Sequence, residues 1–390
     1  MRGLAILLVM AVHFVGDAPA TSALQRVVVK GAGYGVLGVD LFFVLSGFLI
    51  TGLLLDAKGS PHYFRNFYAR RTLRIFPLYY FVLAVLFLVL PRLIEPSPLF
   101  AVALHRQIWL WTYTANFRIA LDGSWSALTY VSHFWSLAIE EHFYLLWPMA
   151  VFLLSRRALE RLCVGVMVGA LLLRIGLVLH GVNEISVSVL TPCRLDTLVT
   201  GGLLACLVRR EALGARLVER SGRAALVLGA GIVALSAFCA TAKVGLPVLH
   251  QVRASGYALF FGALTLVSLR PPTEALSRVF QGSLLGFFGK YSYGLYVYHG
   301  LIAWLLVDLD AYARLEAISG SHLLAIVLRA ALGLLSSLAI ALLSYHLLEA
   351  RFLALKRYFE PRSTAAPLPT QGETSTAPIT RPRPTSSMVR

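Results

Sequence analysis

Two basic residues near the N-terminus have a spacing that places them on one face of a helix. Arg2 and His13 are eleven positions apart, about three turns of an α-helix, so the axial rise between them is roughly 16 Å. The guanidinium can bind an anionic head group while a slender arm of the same ligand reaches the imidazole, a potential general base. A histidine in an apolar helix also occurs as a packing residue, so the pair alone leaves both interpretations open.

A second basic cluster lies in the segment FYARRTLRIFPLYY. Arg70, Arg71 and Arg74 stand at the start of an apolar stretch, and Arg71 and Arg74 share a helix face. Guanidinium groups bind phosphate through two parallel hydrogen bonds, which predicts a phosphate-bearing ligand. The excess of basic residues in the cytoplasmic loops of membrane proteins explains the same cluster without a ligand.

A polar stripe follows in the segment HFWSLAIEEHFYLLWP, where His133, Ser136, Glu140 and Tyr144 are three or four positions apart. Glu141 is rotated by about 100° around the helix axis, so the two adjacent carboxylates cannot serve the same purpose. Ionisable groups within apolar segments are costly and usually functional. The stripe therefore predicts a catalytic or acceptor-binding site.

Three further charged residues interrupt apolar stretches: Asp40, Arg194 and Asp196. Arg194 and Asp196 are expected to pair within one helical turn. We place this group in the outer half of the membrane together with His13 and Glu140, and the arginines at its inner mouth. The pattern predicts a donor site below and an acceptor site above, and ion pairs that hold helices together are the alternative for part of the set.

The composition places these residues in a membrane protein. Of 390 residues, 58% are hydrophobic and only 14% are charged, against about a quarter charged in soluble domains. The net charge of +16 is the one expected for basic cytoplasmic loops, so nucleic-acid binding is not predicted. The four cysteines have no metal-type spacing; we expect small buried residues and no metal site.

We predict an all-α, polytopic helix bundle with about ten transmembrane helices and both termini in the cytoplasm. The apolar segment 98–115 is assigned to an interfacial or re-entrant position, because a crossing there would move every later basic loop outside. Residues 1–358 form the predicted membrane domain. Residues 359–390, rich in Pro, Thr and Ser, are predicted to be a disordered cytoplasmic tail. The predicted spans cover residues 2–19, 35–55, 75–92, 134–155, 162–180, 189–208, 224–242, 254–270, 284–307 and 322–349.

The motifs in this order resemble the acyltransferase-3 family of membrane O-acyltransferases, which modify bacterial polysaccharides, lipopolysaccharides, lipid carriers and some macrolides. The motifs that carry the resemblance are Arg2 with His13, GVDLFFVLSGFLIT (38–51) and the segments at 70–80 and 133–148. The supporting motifs are RLDTLVTGGLLA (194–205), GKYSYGLYVYHGL (289–301) and HLLEARF (346–352). Relatives usually carry several residues before the arginine that is residue 2 here, so a start further upstream is an expectation.

The resemblance implies an acyl-coenzyme A donor, most commonly acetyl-coenzyme A, bound from the cytoplasm. It implies that His13 is the catalytic histidine and that Arg2, Arg71 and Arg74 are essential, with Arg70 in the same donor cluster. A neutral imidazole can take the proton of an acceptor hydroxyl as the oxygen attacks the thioester. Glu140 would orient that imidazole or position the acceptor.

The expected function is thus acyl transfer in the inner membrane of a bacterium, to a carbohydrate, a lipid-linked glycan or a macrolide. Two other classes stay open. A secondary transporter of an acylated saccharide would also carry intramembrane Asp, Glu and His, although it would more naturally show inverted repeats. A membrane scaffold would need none of these side chains for chemistry.

Overall fold

A computed structural model describes residues 1–16, 18–242 and 246–359, and within these ranges all regular secondary structure is helical. The all-α prediction is therefore confirmed. The predicted tail from residue 360 and the side chain of Cys239 lie outside the described residues. The other three cysteines, Cys163, Cys193 and Cys206, are buried and free, as predicted.

The helices follow one another with short connections. The first ten are α1 (Arg2–Phe14), α2 (Ala23–Gly33), α3 (Leu37–Ala57), α4 (Tyr63–Ala84), α5 (Leu90–Leu93), α6 (Pro98–His105), α7 (Ile108–Trp111), α8 (Ala115–Asp122), α9 (Trp135–Leu153) and α10 (Arg156–Leu179). The next ten are α11 (Glu184–Val189), α12 (Thr191–Val208), α13 (Glu211–Ala242), α14 (Leu246–Val267), α15 (Ala275–Gln281), α16 (Ser283–Lys290), α17 (Ser292–Asp308), α18 (Ala311–Ser319), α19 (His322–Ser344) and α20 (Ala350–Ala354). Short 3-10 or π turns occupy Tyr34–Val36, Val85–Val89, Trp125–Leu128, Ser132–Phe134, Tyr345–Glu349 and Leu355–Phe359.

Six described segments are long and apolar enough to cross a membrane, which identifies a multi-pass membrane protein. Each of the ten predicted spans overlaps one or more of the helices, although the bounds differ. The number ten and the cytoplasmic location of both ends stay predictions. The six segments are Ala23–Ala57, Tyr63–Leu93, Arg156–Leu179, Thr191–Val208, Glu211–Phe238 and His322–Phe359.

The apolar stretch 98–115 is broken into short helices that cannot cross a bilayer. α6 has 8 residues and α7 has 4, whereas about 20 are needed. Ser97 accepts a hydrogen bond from the backbone N–H of Phe100, and Pro98 occupies the first turn, so the start of α6 is well capped. This agrees with the interfacial or re-entrant placement.

A close crossing of α3 and α12 organises the centre of the bundle. A Cβ atom at Gly47 would overlap the carbonyl oxygen of Leu198, and one at Gly201 would overlap that of Val44. Small residues at such a crossing allow two backbones to approach closely, as in other helix pairs within membranes. The crossing holds the face of α3 that carries Ser46, and hence one wall of the site, in a fixed position.

Candidate active site

A polar cavity, here called the arginine cavity, forms where α1, α3, α4, α9 and α17 meet. Its volume is roughly 640 Å³ including the mouth. Arg2, Arg71 and Arg74 line it together with Glu140, so one long-range prediction from the sequence is realised: the N-terminal arginine joins the cluster on α4. The remaining lining residues are Val39, Phe42, Phe43, Ser46, Ile75, Ser136, Leu137, Tyr144, Ser292, Tyr293 and Tyr296.

The carboxylate of Glu140 is held by two hydroxyl groups inside this cavity. Ser46 Oγ donates to Glu140 Oε1 at 2.6 Å, and the phenol of Tyr144 lies 3.1 Å from Glu140 Oε2. The guanidinium carbon of Arg71 lies 5.8 Å from the centre of the Tyr144 ring, at cation–π distance. The site thus combines three guanidinium groups with one anchored carboxylate, which suits a ligand that carries phosphate groups.

A second cavity, here called the histidine cavity, contains His13 of α1 and His133 of the turn Ser132–Phe134. Its volume is roughly 1210 Å³ including open space at its mouth, and its walls are mostly aliphatic and aromatic. The remaining lining residues are Val9, Val12, Val36, Val39, Trp125, Ser132, Trp135, Tyr296, Ala303, Trp304 and Val307. An apolar pocket with a few polar groups is typical of a small-molecule site.

One wall of the histidine cavity is braced by a phenol from the loop before α9. The Tyr130 ring stacks on Trp304 at 6.4 Å, and its hydroxyl donates to Asp308 at 2.5 Å. Burial is the larger cause and this hydrogen bond the smaller one that raise the pKa of the Tyr130 phenol above its usual range. The phenol therefore stays protonated and donates. The brace ties the loop to the end of α17.

The local structure of α1 sets the tautomer of His13. Nδ1 of His13 lies 2.9 Å from the carbonyl oxygen of Val9, and because a carbonyl only accepts, the neutral ring carries its proton on Nδ1. Nε2 is then the basic nitrogen. The sequence-based suggestion that Glu140 orients this imidazole is not realised at Nδ1, where the backbone does so. Glu140 is grouped with the arginines instead.

His13 belongs to a cluster of three imidazoles that sequence reasoning only partly found. The ring of His299, fully buried on α17, lies 4.8 Å from His13 and 5.0 Å from His133. Nδ1 of His299 donates to the carbonyl of Tyr296 at 2.7 Å, and its Nε2 has no hydrogen-bond partner among the described residues. The GKYSYGLYVYHGL motif was the available signal for this residue.

His133 is attached to α17 rather than exposed to ligand on all sides. Its Nε2 lies 3.1 Å from the carbonyl of Val297. The ring edge also occupies the space that a Cβ atom at Gly300 would need, so only glycine fits there. The predicted stripe is therefore divided between two cavities. His133, in the turn before α9, lines the histidine cavity, whereas Ser136, Glu140 and Tyr144 of α9 line the arginine cavity.

The ion pairs of the outer group differ from the predicted pairing, which is wrong. Arg194 reaches Asp40 on α3 at 2.6 Å, and Asp196 binds Arg174 on α10 at 2.9 Å. Residues two apart on a helix point in different directions, so Arg194 and Asp196 each form an ion pair with a residue of a neighbouring helix. The Arg194 guanidinium also lies 5.8 Å from the ring of Trp135, a lining residue of the histidine cavity. Asp40, Arg194 and Asp196 thus support the architecture of the site without lining either cavity.

Two predicted residues lie beside the arginine cavity and do not line it. Arg70 borders a neighbouring cavity between α3 and α4, to which Arg71 also contributes. Glu141 interacts electrostatically with Glu140 and Arg71, and its Oε1 is buried without a hydrogen-bond partner among the described residues. This separation of Glu140 from Glu141 agrees with their predicted difference in direction.

Several lining residues were not predicted, because they are ordinary polar or aromatic residues in apolar helices. Ser46 lies in the motif around Asp40, and Tyr293 and Tyr296 lie in the motif that also contains His299. Tyr293 donates to the carbonyl of Ile75 at 2.6 Å, which ties α17 to α4. Within the described part of the chain, no group of three or more His, Cys, Asp or Glu residues could hold a metal ion.

The chain is thus a helical membrane protein in which an arginine cavity adjoins a histidine cavity. The chain is a member of the acyltransferase-3 family: the sequence profile of that family, described as an acyltransferase domain, matches residues 1–346. No solved structure is significantly similar to it.

Similar proteins occur in Listeria monocytogenes, Staphylococcus aureus and Bacillus subtilis. The chain is 30% identical over 316 residues to the peptidoglycan O-acetyltransferase OatA of Listeria monocytogenes, covering 77% of this chain and 48% of that protein. It is 29% identical over 285 residues to the O-acetyltransferase OatA of Staphylococcus aureus, covering 68% and 45%. A putative peptidoglycan O-acetyltransferase of Bacillus subtilis, YrhL, is 36% identical over 124 residues, covering 30% and 19%. The chain spans about half the length of the first two relatives.

Proposed function

We propose that this protein is an O-acyltransferase of the bacterial inner membrane that moves an acetyl group from acetyl-coenzyme A to a hydroxyl of a carbohydrate acceptor. Membership of the acyltransferase-3 family supports the reaction class. The three relatives are named as O-acetyltransferases, two of them of peptidoglycan. This favours acetyl as the transferred group and a carbohydrate rather than a macrolide as the acceptor.

The observation that carries the proposal is the pair of adjoining cavities with different chemistry. Arg2 and His13 lie on the same helix, α1, but Arg2 lines one cavity and His13 lines the other. A donor whose phosphates bind Arg2, Arg71 and Arg74 would extend its thioester arm along α1 towards the imidazole. Because acyl-coenzyme A is a cytoplasmic metabolite, the mouth of the arginine cavity would face the cytoplasm, which agrees with the basic character of that end.

The chemistry follows from the tautomer of His13. The acceptor hydroxyl gives its proton to Nε2 as its oxygen attacks the thioester carbonyl carbon, and Val9 holds Nδ1–H of the resulting imidazolium. The tetrahedral intermediate then collapses, the carbon–sulfur bond breaks, and the proton on Nε2 passes to the leaving thiolate. The products are the acetyl ester and free coenzyme A, with His13 neutral again.

Removal of the base tests this proposal directly. The purified protein in detergent would be given radiolabelled acetyl-coenzyme A and lysozyme-solubilised peptidoglycan, and alkali-labile label on the glycan would be measured. General base catalysis contributes about 10²- to 10⁴-fold, so His13→Ala should reduce transfer by that factor while coenzyme A binding persists.

The matched control is His180→Ala, because His180 is exposed at the end of α10 and lines neither cavity. It should transfer label like the wild type. Transfer by His13→Ala at the rate of this control would contradict the role of His13. Absence of coenzyme A binding by the wild type would overturn the proposal that acetyl-coenzyme A is the donor.

A further inference from the structure

The two cavities meet at a wall made of two side chains. Of all residues that line either cavity, only Val39 of α3 and Tyr296 of α17 line both. Val39 is 8% exposed and Tyr296 is 6% exposed. These two side chains therefore mark the junction of the cavities, where a ligand arm that extends from the arginines to His13 would pass.

Tyr296 is fixed on its side of the wall. Its hydroxyl donates to the carbonyl of His133 at 2.8 Å and lies 2.5 Å from Ser136 Oγ. Its ring makes edge-to-face contact with Phe42 at 6.0 Å. These contacts from three different elements leave the ring little freedom to move aside for a bulky group.

Val39 belongs to the part of α3 against which α1 packs closely. The neighbouring Gly38 leaves no space for a side chain, because a Cβ atom there would lie 2.5 Å from the carbonyl oxygen of Ala5 and 2.9 Å from Val9 Cγ2. A valine in a helix has essentially one side-chain rotamer. Both residues are thus held by close packing. The space that they leave between the two cavities then depends on the size of their side chains.

We propose that Val39 and Tyr296 form the passage for the acyl thioester and that this passage selects the length of the acyl group. The assignment rests on the proposed function. In a donor whose phosphates bind Arg2, the acyl thioester lies at the far end of the arm. This end must pass Val39 and Tyr296 to reach His13. A narrow, rigid passage admits a short acyl chain, and each added methylene must displace a fixed side chain.

The size of the effect follows from general experience with apolar pockets, where one methylene changes selectivity by about 10- to 200-fold. We expect the wild type to use butyryl-coenzyme A far less well than acetyl-coenzyme A. Val39→Ala removes two methyl groups from the passage and should raise the butyryl-to-acetyl ratio of kcat/KM by about 10-fold or more. Tyr296→Phe, which loses both hydroxyl contacts, should shift the ratio in the same direction.

The experiment would use the full chain in detergent, with acetyl-, propionyl- and butyryl-coenzyme A as donors and lysozyme-solubilised peptidoglycan as acceptor. Val44→Ala is the matched control, since Val44 is a buried valine on the same helix that lines neither cavity. Val39→Phe should block transfer of every acyl group while its melting temperature stays close to that of the wild type, which shows that the variant folds.

The outcomes separate the two proposals. A raised ratio in Val39→Ala but not in Val44→Ala, with blocked transfer in Val39→Phe, supports the passage. A ratio that changes equally in both alanine variants, or acetyl transfer by Val39→Phe at the wild-type rate, overturns the passage and leaves the acyltransferase proposal intact. Failure of the wild type to transfer acetyl from acetyl-coenzyme A overturns both.

Discussion

The buried ion pair between Arg174 and Asp196 should be a main determinant of stability. The two side chains are only 3% and 4% exposed and their charged atoms are 2.9 Å apart. Removal of one partner leaves a buried charge without compensation, which costs about 3–5 kcal/mol. Arg174→Met should therefore lower the free energy of unfolding by about that amount, measured by titration with sodium dodecyl sulfate in mixed micelles.

A control and a double variant separate this cause from a general loss of packing. Arg209 pairs with Asp56 at 2.7 Å, but these side chains are 27% and 62% exposed, and surface pairs contribute about 0–1 kcal/mol. Arg209→Met should thus have little effect. Arg174→Met combined with Asp196→Asn removes both charges and should recover most of the loss, as expected for coupled sites. If the double variant is as unstable as the sum of the single variants, or Arg209→Met is equally damaging, the reasoning is wrong.

Three further predictions concern the donor site, the central helix crossing and the histidine cluster. Arg71→Ala should weaken coenzyme A binding by about 10- to 150-fold, because a hydrogen bond to a charged group contributes about 1.5–3 kcal/mol. Titration calorimetry measures this affinity, and the control variant Arg161→Ala, at an exposed position, should bind coenzyme A like the wild type. Gly47→Ala should reduce stability by about 1–3 kcal/mol through overpacking. Gly165 has open space around it, so Gly165→Ala should not reduce stability. Equal melting temperatures of these two variants would contradict the close crossing. His299→Gln replaces one imidazole of the cluster by a neutral amide and should shift the pH profile of acyl transfer. An unchanged pH profile would assign His299 to packing alone.

Local spacing predicted those parts of the site that lie on one helix. Arg2 and His13 were expected on one face of α1, and the structure places them in adjoining cavities of the same bundle. The stripe on α9 was also predicted from its spacing, including the different direction of Glu141. Periodicity is reliable here because an α-helix in a membrane must satisfy its own backbone, so its geometry hardly varies.

Contacts between helices were predicted less well. Arg194 and Asp196 were expected to pair with each other, yet each binds a charge on another helix. Glu140 was expected to orient the imidazole of His13 or to position the acceptor, and its hydrogen bonds are to Ser46 and Tyr144. Spacing along one helix gives the direction of a side chain but not the identity of the helix that faces it.

The sequence by itself determined that this is a helical membrane protein and that it belongs to an acyltransferase family, because composition and motif order need no knowledge of packing. It also determined which faces of α1, α4 and α9 carry polar groups. Only the tertiary structure decided that Val39 and Tyr296 divide the site in two and that His299 joins His13. The two residues of each pair are more than 250 positions apart along the chain. Their meeting depends on close helix crossings such as that at Gly47, which no local pattern specifies.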